Sequence, residues 1–114
     1  MGDQSFPSSH RLLKSAEFDA VFKKREFSTF KESLLILAIK NKRNHNRLGM
    51  IIGKKNVPRA IDRNTIKRQL RERFRHHEPM GLDVVALIKP GFCIDSRART
   101  IISKTLDDLY EKVI

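Results

Sequence analysis

Three apolar runs of strand length, set around one strongly basic segment, limit what this chain can fold into. They are residues 33–40 (SLLILAIK), 47–55 (RLGMIIGKK) and 82–89 (LDVVALIK). Each is long enough for a strand. The third is stopped by Pro90 and Gly91. In the second, Gly49 and Gly53 mark places for a bulge or a close backbone approach. The connection between the first two runs, residues 41–46 (NKRNHN), is polar and rich in turn formers, so those runs are expected to pair as an antiparallel hairpin.

Helical segments surround these runs. Ser15 is placed to cap a short helix over residues 16–24, because its hydroxyl can accept from an orphan amide of the first turn. Phe18, Val21 and Phe22 fall at i, i+3 and i+4, which puts both rings on one face. Residues 27–30 form a short extended piece. A second helix begins between Asn56 and Asp62 and ends before Pro79 and Gly81. A last helix covers residues 97–113, where Ile102, Leu106, Leu109 and Val113 make one apolar stripe. The expected architecture is therefore α+β, a small mixed sheet packed with three helices. Residues 1–114 read as a single domain, with residues 1–10 as an irregular arm. No repeat or linker divides it.

Charge bears on partners. The 24 Lys and Arg against 13 Asp and Glu give a formal charge of +11. A field of that sign rewards contact with nucleic acid, through phosphate neutralisation and counterion release. An anionic membrane surface is the rival, but the basic segment carries only three large apolar residues, and these are needed for the core. No apolar run approaches the roughly 20 residues of a membrane-spanning helix. Residues 1–10 lack the apolar stretch of a signal peptide, so a cytoplasmic location is expected. Cys93 is the only cysteine, which excludes an internal disulfide. Its simplest role is that of a small, buried or half-buried hydrophobe.

The basic segment is the most informative part. On a helical wheel, Ile66, Leu70 and Phe74 stack in a narrow arc and form the buried face. Asn64, Lys67, Arg68, Arg71 and Arg75 fill the neighbouring arc with no acid among them. A merely solvated helix usually intersperses charges of both signs. Glu72 lies just beyond the arc. Lys54, Lys55 and Arg59 extend the positive footprint upstream.

The run KKNVPRAIDRNTIKRQLRERFR, residues 54–75, resembles the signature of the protein subunit of bacterial ribonuclease P. The resemblance extends to Phe6-Pro7 followed by Arg11-Leu12-Leu13, to Glu17-Phe18 with Val21-Phe22, to Arg47 with Gly49, and to Asp83-Val84-Val85. It implies a ribosomal-protein-like sandwich whose sheet includes a left-handed βαβ crossover, against the usual handedness. It also implies two partners, a catalytic RNA subunit and precursor tRNA, with the 5′ leader of the tRNA removed by the complex. No membrane and no obligate protein partner are implied. Residues Arg63, Asn64, Lys67, Arg68 and Arg71 match the motif that faces the RNA subunit, and Arg75 extends it. Thr65 stands where the family often has a second arginine; it points away from the cationic stripe, so little phosphate contact is lost.

Phe18 and Phe22 admit two roles. As aromatics at helical spacing they are ordinary core residues. As exposed rings they would stack on unpaired bases, whose π-faces make such binding sequence-tolerant. The resemblance favours a cleft for the single-stranded leader containing Phe18, Phe22, Arg47, Lys54 and Lys55. Residues 33–40 carry no aromatic, although relatives can, so their share in stacking is in doubt.

Catalytic groups are not apparent. Asp107 and Asp108 point about 100° apart on a helix and make no site on their own. His10, His45, His76 and His77 lack metal-ligand spacing, and the last two are expected to serve as partners of the helix dipole. No metal site is expected in the protein, and Mg2+ is assigned to the RNA partner. Two alternatives remain: a structural RNA-binding protein such as a ribosomal component, and a nuclease acting alone.

Overall fold

The computed structural model describes residue 11 and residues 14–113; the arm expected over residues 1–10 lies outside them. Seven elements follow in the order α1 (Ser15–Lys24), β1 (Phe27–Lys31), β2 (Leu34–Lys40), β3 (Arg47–Ile51), α2 (Ala60–Arg75), β4 (Leu82–Ile88) and α3 (Arg97–Val113). Three helices and a four-stranded mixed sheet make an α+β fold, in agreement with the expected class.

The expected hairpin between residues 33–40 and 47–55 does not form. The strand order is β1-β2-β4-β3, so β4 lies between them. β2 runs antiparallel to β4, and β3 runs parallel to β4. The physical reason lies in burial on both faces. Nearly all of LLILAIK and LDVVALI is buried or half-buried, which suits the two central positions. β3 is shorter, and Met50 and Ile51 are only half-buried, which suits an edge. Joining parallel neighbours then requires a crossover, and α2 supplies it.

Residues 41–46 accordingly do not make a hairpin turn. They fold against Gly81, which holds a left-handed φ of 70°. The Asn41 N–H donates to the Gly81 carbonyl at 2.7 Å. A Cβ at Gly81 would meet the Arg43 carbonyl oxygen at 2.7 Å, so a side chain does not fit there. The true hairpin is β1-β2. Its two-residue turn, Glu32 and Ser33, has positive φ at both positions, as tight hairpins favour.

α2 and α3 cover one sheet face, where Ile66, Leu70, Ile102 and Leu106 pack on Leu34, Ile36, Val84 and Ala86. The opposite face carries α1, whose Val21 packs with Leu37 and Val85. Ser15 is the first helical residue rather than the cap. Glu17 does the capping instead, its carboxylate accepting from the Lys14 N–H at 3.0 Å. Residues 53–55 leave the sheet as a turn held by the Gly53 carbonyl, which accepts from the Asn56 and Val57 N–H groups. Cys93 is half-buried against the larger core, as expected.

Candidate nucleic-acid interface

α2 presents two faces of opposite character. Ile66, Leu70 and Phe74 are buried at the positions the wheel assigns. Asn64, Arg68 and Arg75 are exposed on the other side, with Lys67 and Arg71 half-buried beside them. Among the described residues neither Arg68 nor Arg75 has an acidic partner. Their charges therefore face solvent without compensation. Asp62 in the first turn and Arg73 and Arg75 in the last complement the helix dipole.

Arg63 sits differently. Its Nη1 donates to the Val57 and Pro58 carbonyls at 2.9 and 2.8 Å, so it fastens the loop that leads into the helix. Arg73 lies off the stripe, on the flank facing α3, where it holds Asp107 through three hydrogen bonds between 2.7 and 3.2 Å. Asp108 reaches the other way, to Lys31 at 2.8 Å. The two adjacent carboxylates thus belong to separate ion pairs. Among the described residues no group of three or more His, Cys, Asp or Glu is arranged to hold a metal ion.

Arg47 requires a correction. Expected among the cleft's phosphate contacts, it is a buried structural residue. Its Nε and Nη2 grip Asp83 at 2.8 and 2.6 Å, and its Nη1 donates to Glu17 at 2.7 Å. The hydrogen bonds to Asp83 hold the guanidinium above its ordinary range, against the opposing effect of burial. A side chain engaged at all three nitrogens, with two anions, has little left for a phosphate. Its work is to tie β3 to β4 and to α1.

Of the two histidines expected at the end of α2, His77 departs from the role of a dipole partner. His76 caps the end of α2 through its backbone, while the His77 ring stacks on Tyr110 at 3.9 Å between centroids. His77 Nε2 lies 3.2 Å from Asp107. Burial pushes the His77 imidazole below its usual range, with Asp107 pulling the other way. Burial also raises the Tyr110 phenol.

On the α1 side of the sheet, Phe18 and Phe22 are half-buried, packed against the cluster of Val21, Leu37 and Val85. One flank of each ring serves the core and part of each remains open. Lys54 and Lys55 are exposed in the turn after β3. An aromatic that sequence inspection passes over is Phe30, which is 55% exposed on β1. Alternation within FSTFK is the signal: Phe27 and Thr29 turn inward and Phe30 turns outward.

Relatives share this architecture and sequence. The family model described as Ribonuclease P matches residues 6–113. The Ribonuclease P protein component of Marinobacter nauticus is 39% identical over 110 residues, covering 96% of this chain and 82% of that protein. The Staphylococcus aureus RNase P protein superimposes with a TM-score of 0.68 at 26% identity, covering 91% of this chain and 94% of the other. The RNase P protein from Thermotoga maritima gives a TM-score of 0.70 at 25% identity, with 91% and 97% covered. A match that runs through both faces of α2 and all four strands leaves one assignment: the chain belongs to the family of bacterial ribonuclease P protein components.

Proposed function

We propose that the exposed stripe of α2 binds the catalytic RNA subunit of ribonuclease P and that the α1 side of the sheet holds the 5′ leader of precursor tRNA. Family membership makes the chain part of an endoribonuclease whose catalytic role belongs to RNA. The observation that carries the reading is the segregation of α2: apolar Ile66, Leu70 and Phe74 inward, Asn64, Lys67, Arg68, Arg71 and Arg75 outward. Neutralising phosphates with such a stripe releases counterions and reduces repulsion between two RNAs. Asn64 adds a neutral donor and acceptor suited to sugar or base edges. Arg63 supports the same surface by fixing the loop before the helix.

The leader side uses different physics. Phe18 and Phe22 offer π-faces to unpaired bases, and Lys54 and Lys55 offer charge to the phosphates between them. Mg2+ belongs to the RNA partner in this scheme. The protein's own residues bind, orient and screen.

Reconstitution is the direct test. The protein is mixed with a bacterial ribonuclease P RNA and precursor tRNA at low magnesium, and leader cleavage is followed. Restored cleavage is the expected result. An RNA that gains nothing from the protein would overturn the proposal, and co-sedimentation with ribosomal subunits instead would favour a structural role there.

A further inference from the structure

One row of apolar side chains crosses the whole sheet on the α1 side. Phe30 of β1 stands opposite Leu35 of β2, Leu35 opposite Leu87 of β4, and Ile51 of β3 opposite the same Leu87. Residues directly opposed across strands share a face, so these four side chains lie in line. Three strand spacings make the row roughly 14 Å long. The next row inward, with Leu37 and Val85, is closed over by Val21 of α1. The outer row is not closed. Leu35, Leu87 and Ile51 remain half-buried, and Phe30 is 55% exposed at its β1 end. Phe30 belongs to neither hydrophobic cluster, so the core does not account for it.

The same end of the sheet is cationic. Lys54 and Lys55 follow β3, and Lys89 follows β4; all three are exposed. Against them stands Glu32 in the β1-β2 turn. A half-open apolar row beside flexible cations matches a single strand of nucleic acid, whose bases stack while its phosphates take the charge. The rival occupant is a second copy pairing along the β1 edge. That edge is only five residues long, and two chains each carrying +11 repel.

We propose that Phe30 is a base-stacking residue for the unpaired leader, extending the binding track past α1 to the far edge strand. The proposal rests on the leader reading given above and adds a position and a polarity to it. Nucleotides close to the cleavage point meet Phe18 and Phe22, and a more distant nucleotide meets Phe30. Recognition there is by π-face and tolerates any base.

Leader length tests it. Holoenzyme reconstituted with wild-type protein, Phe30→Ala, Phe30→Leu or Phe30→Trp is titrated with precursor tRNAs whose leaders increase one nucleotide at a time. Phe30→Ala and Phe30→Leu should each weaken binding of long-leader substrate by about tenfold, within the range of one stacked base. Substrate with the shortest leader should bind all four proteins alike, and Phe30→Trp should match or exceed wild type on long leaders. Equal losses at every length, or no loss at any, would overturn the proposal. So would a wild-type dimer in sedimentation that Phe30→Ala dissolves. If wild-type holoenzyme itself shows no dependence on leader length, the broader leader reading fails, and Phe30 with it. If wild type depends on length and Phe30→Leu follows the same curve, Phe30 alone is removed.

Discussion

Arg47 and Asp83 face each other across the parallel β3-β4 pair and are joined by two hydrogen bonds, at 2.8 and 2.6 Å. The Arg47 side chain is only 11% exposed and that of Asp83 only 8%. Asn41 adds a third bond to the same carboxylate at 2.8 Å. Removing Asp83 leaves the buried guanidinium with Glu17 as its remaining acid. Asp83→Ala should therefore lower stability by about 3 kcal/mol, the low end for breaking a buried pair. A double change, Arg47→Met with Asp83→Leu, should recover much of that loss, because the carboxylate that loses Arg47, Glu17, is a quarter exposed and still accepts from the Lys14 N–H. Urea midpoints at constant slope read both effects. A midpoint unmoved by Asp83→Ala would show that the pair contributes nothing.

Arg68 behaves in the opposite way because it has no acidic partner among the described residues. Arg68→Ala should leave the melting temperature nearly unchanged and weaken binding to the RNA subunit. The dependence of log affinity on log salt should fall by about one unit, as for one lost phosphate contact. Filter binding across a salt series measures it. An unchanged slope with unchanged affinity would take Arg68 out of the interface.

Phe18 lies between core and cleft, so its truncation should show both. Phe18→Ala should cost about 1–3 kcal/mol of stability, less than a fully buried phenylalanine, since only part of the ring is covered. Beyond that, binding of leader-bearing precursor should suffer more than binding of mature tRNA. Equal effects on the two RNAs would restore Phe18 to a purely structural role.

His77 supplies a pH dependence. Its folded pKa lies below its unfolded value because burial disfavours the charged ring. The neutral form is thus the one the fold accommodates. Its contribution is whole above the unfolded value, about 6.5, and is lost as the pH falls from there through the folded value. His77→Phe retains a ring to stack on Tyr110 and has nothing to protonate. Its stability curve should be flatter than wild type between about pH 7 and pH 5. Parallel curves from urea melts would exclude His77 as the source.

The amphipathic logic of α2 and α3 is local and was visible along the chain. Ile66, Leu70 and Phe74 lie inward, and Ile102, Leu106 and Leu109 are buried, because a period of 3.6 ties residue spacing to a face whatever the helix packs on. The cationic stripe follows from the same rule, since residues excluded from the buried arc must face out. Strand existence was equally legible from short apolar runs.

Which strands become neighbours was decided only in three dimensions. β2 and β4 are separated by more than forty residues, and they pair because both carry apolar side chains on both faces and so share the centre. That choice displaced β3 to an edge and undid the hairpin expected across residues 41–46. It also set Arg47 opposite Asp83, turning an expected phosphate contact into a buried clamp. Phe30 shows the converse. Alternation within FSTFK sets Phe30 on the face opposite Thr29, but only the register places it opposite Leu35 at the uncovered end of the sheet. Sequence by itself determined the elements and the charge of α2, because both depend on neighbours along the chain. Tertiary structure decided pairing, burial of charge and the open row, because these depend on which distant surfaces exclude water together.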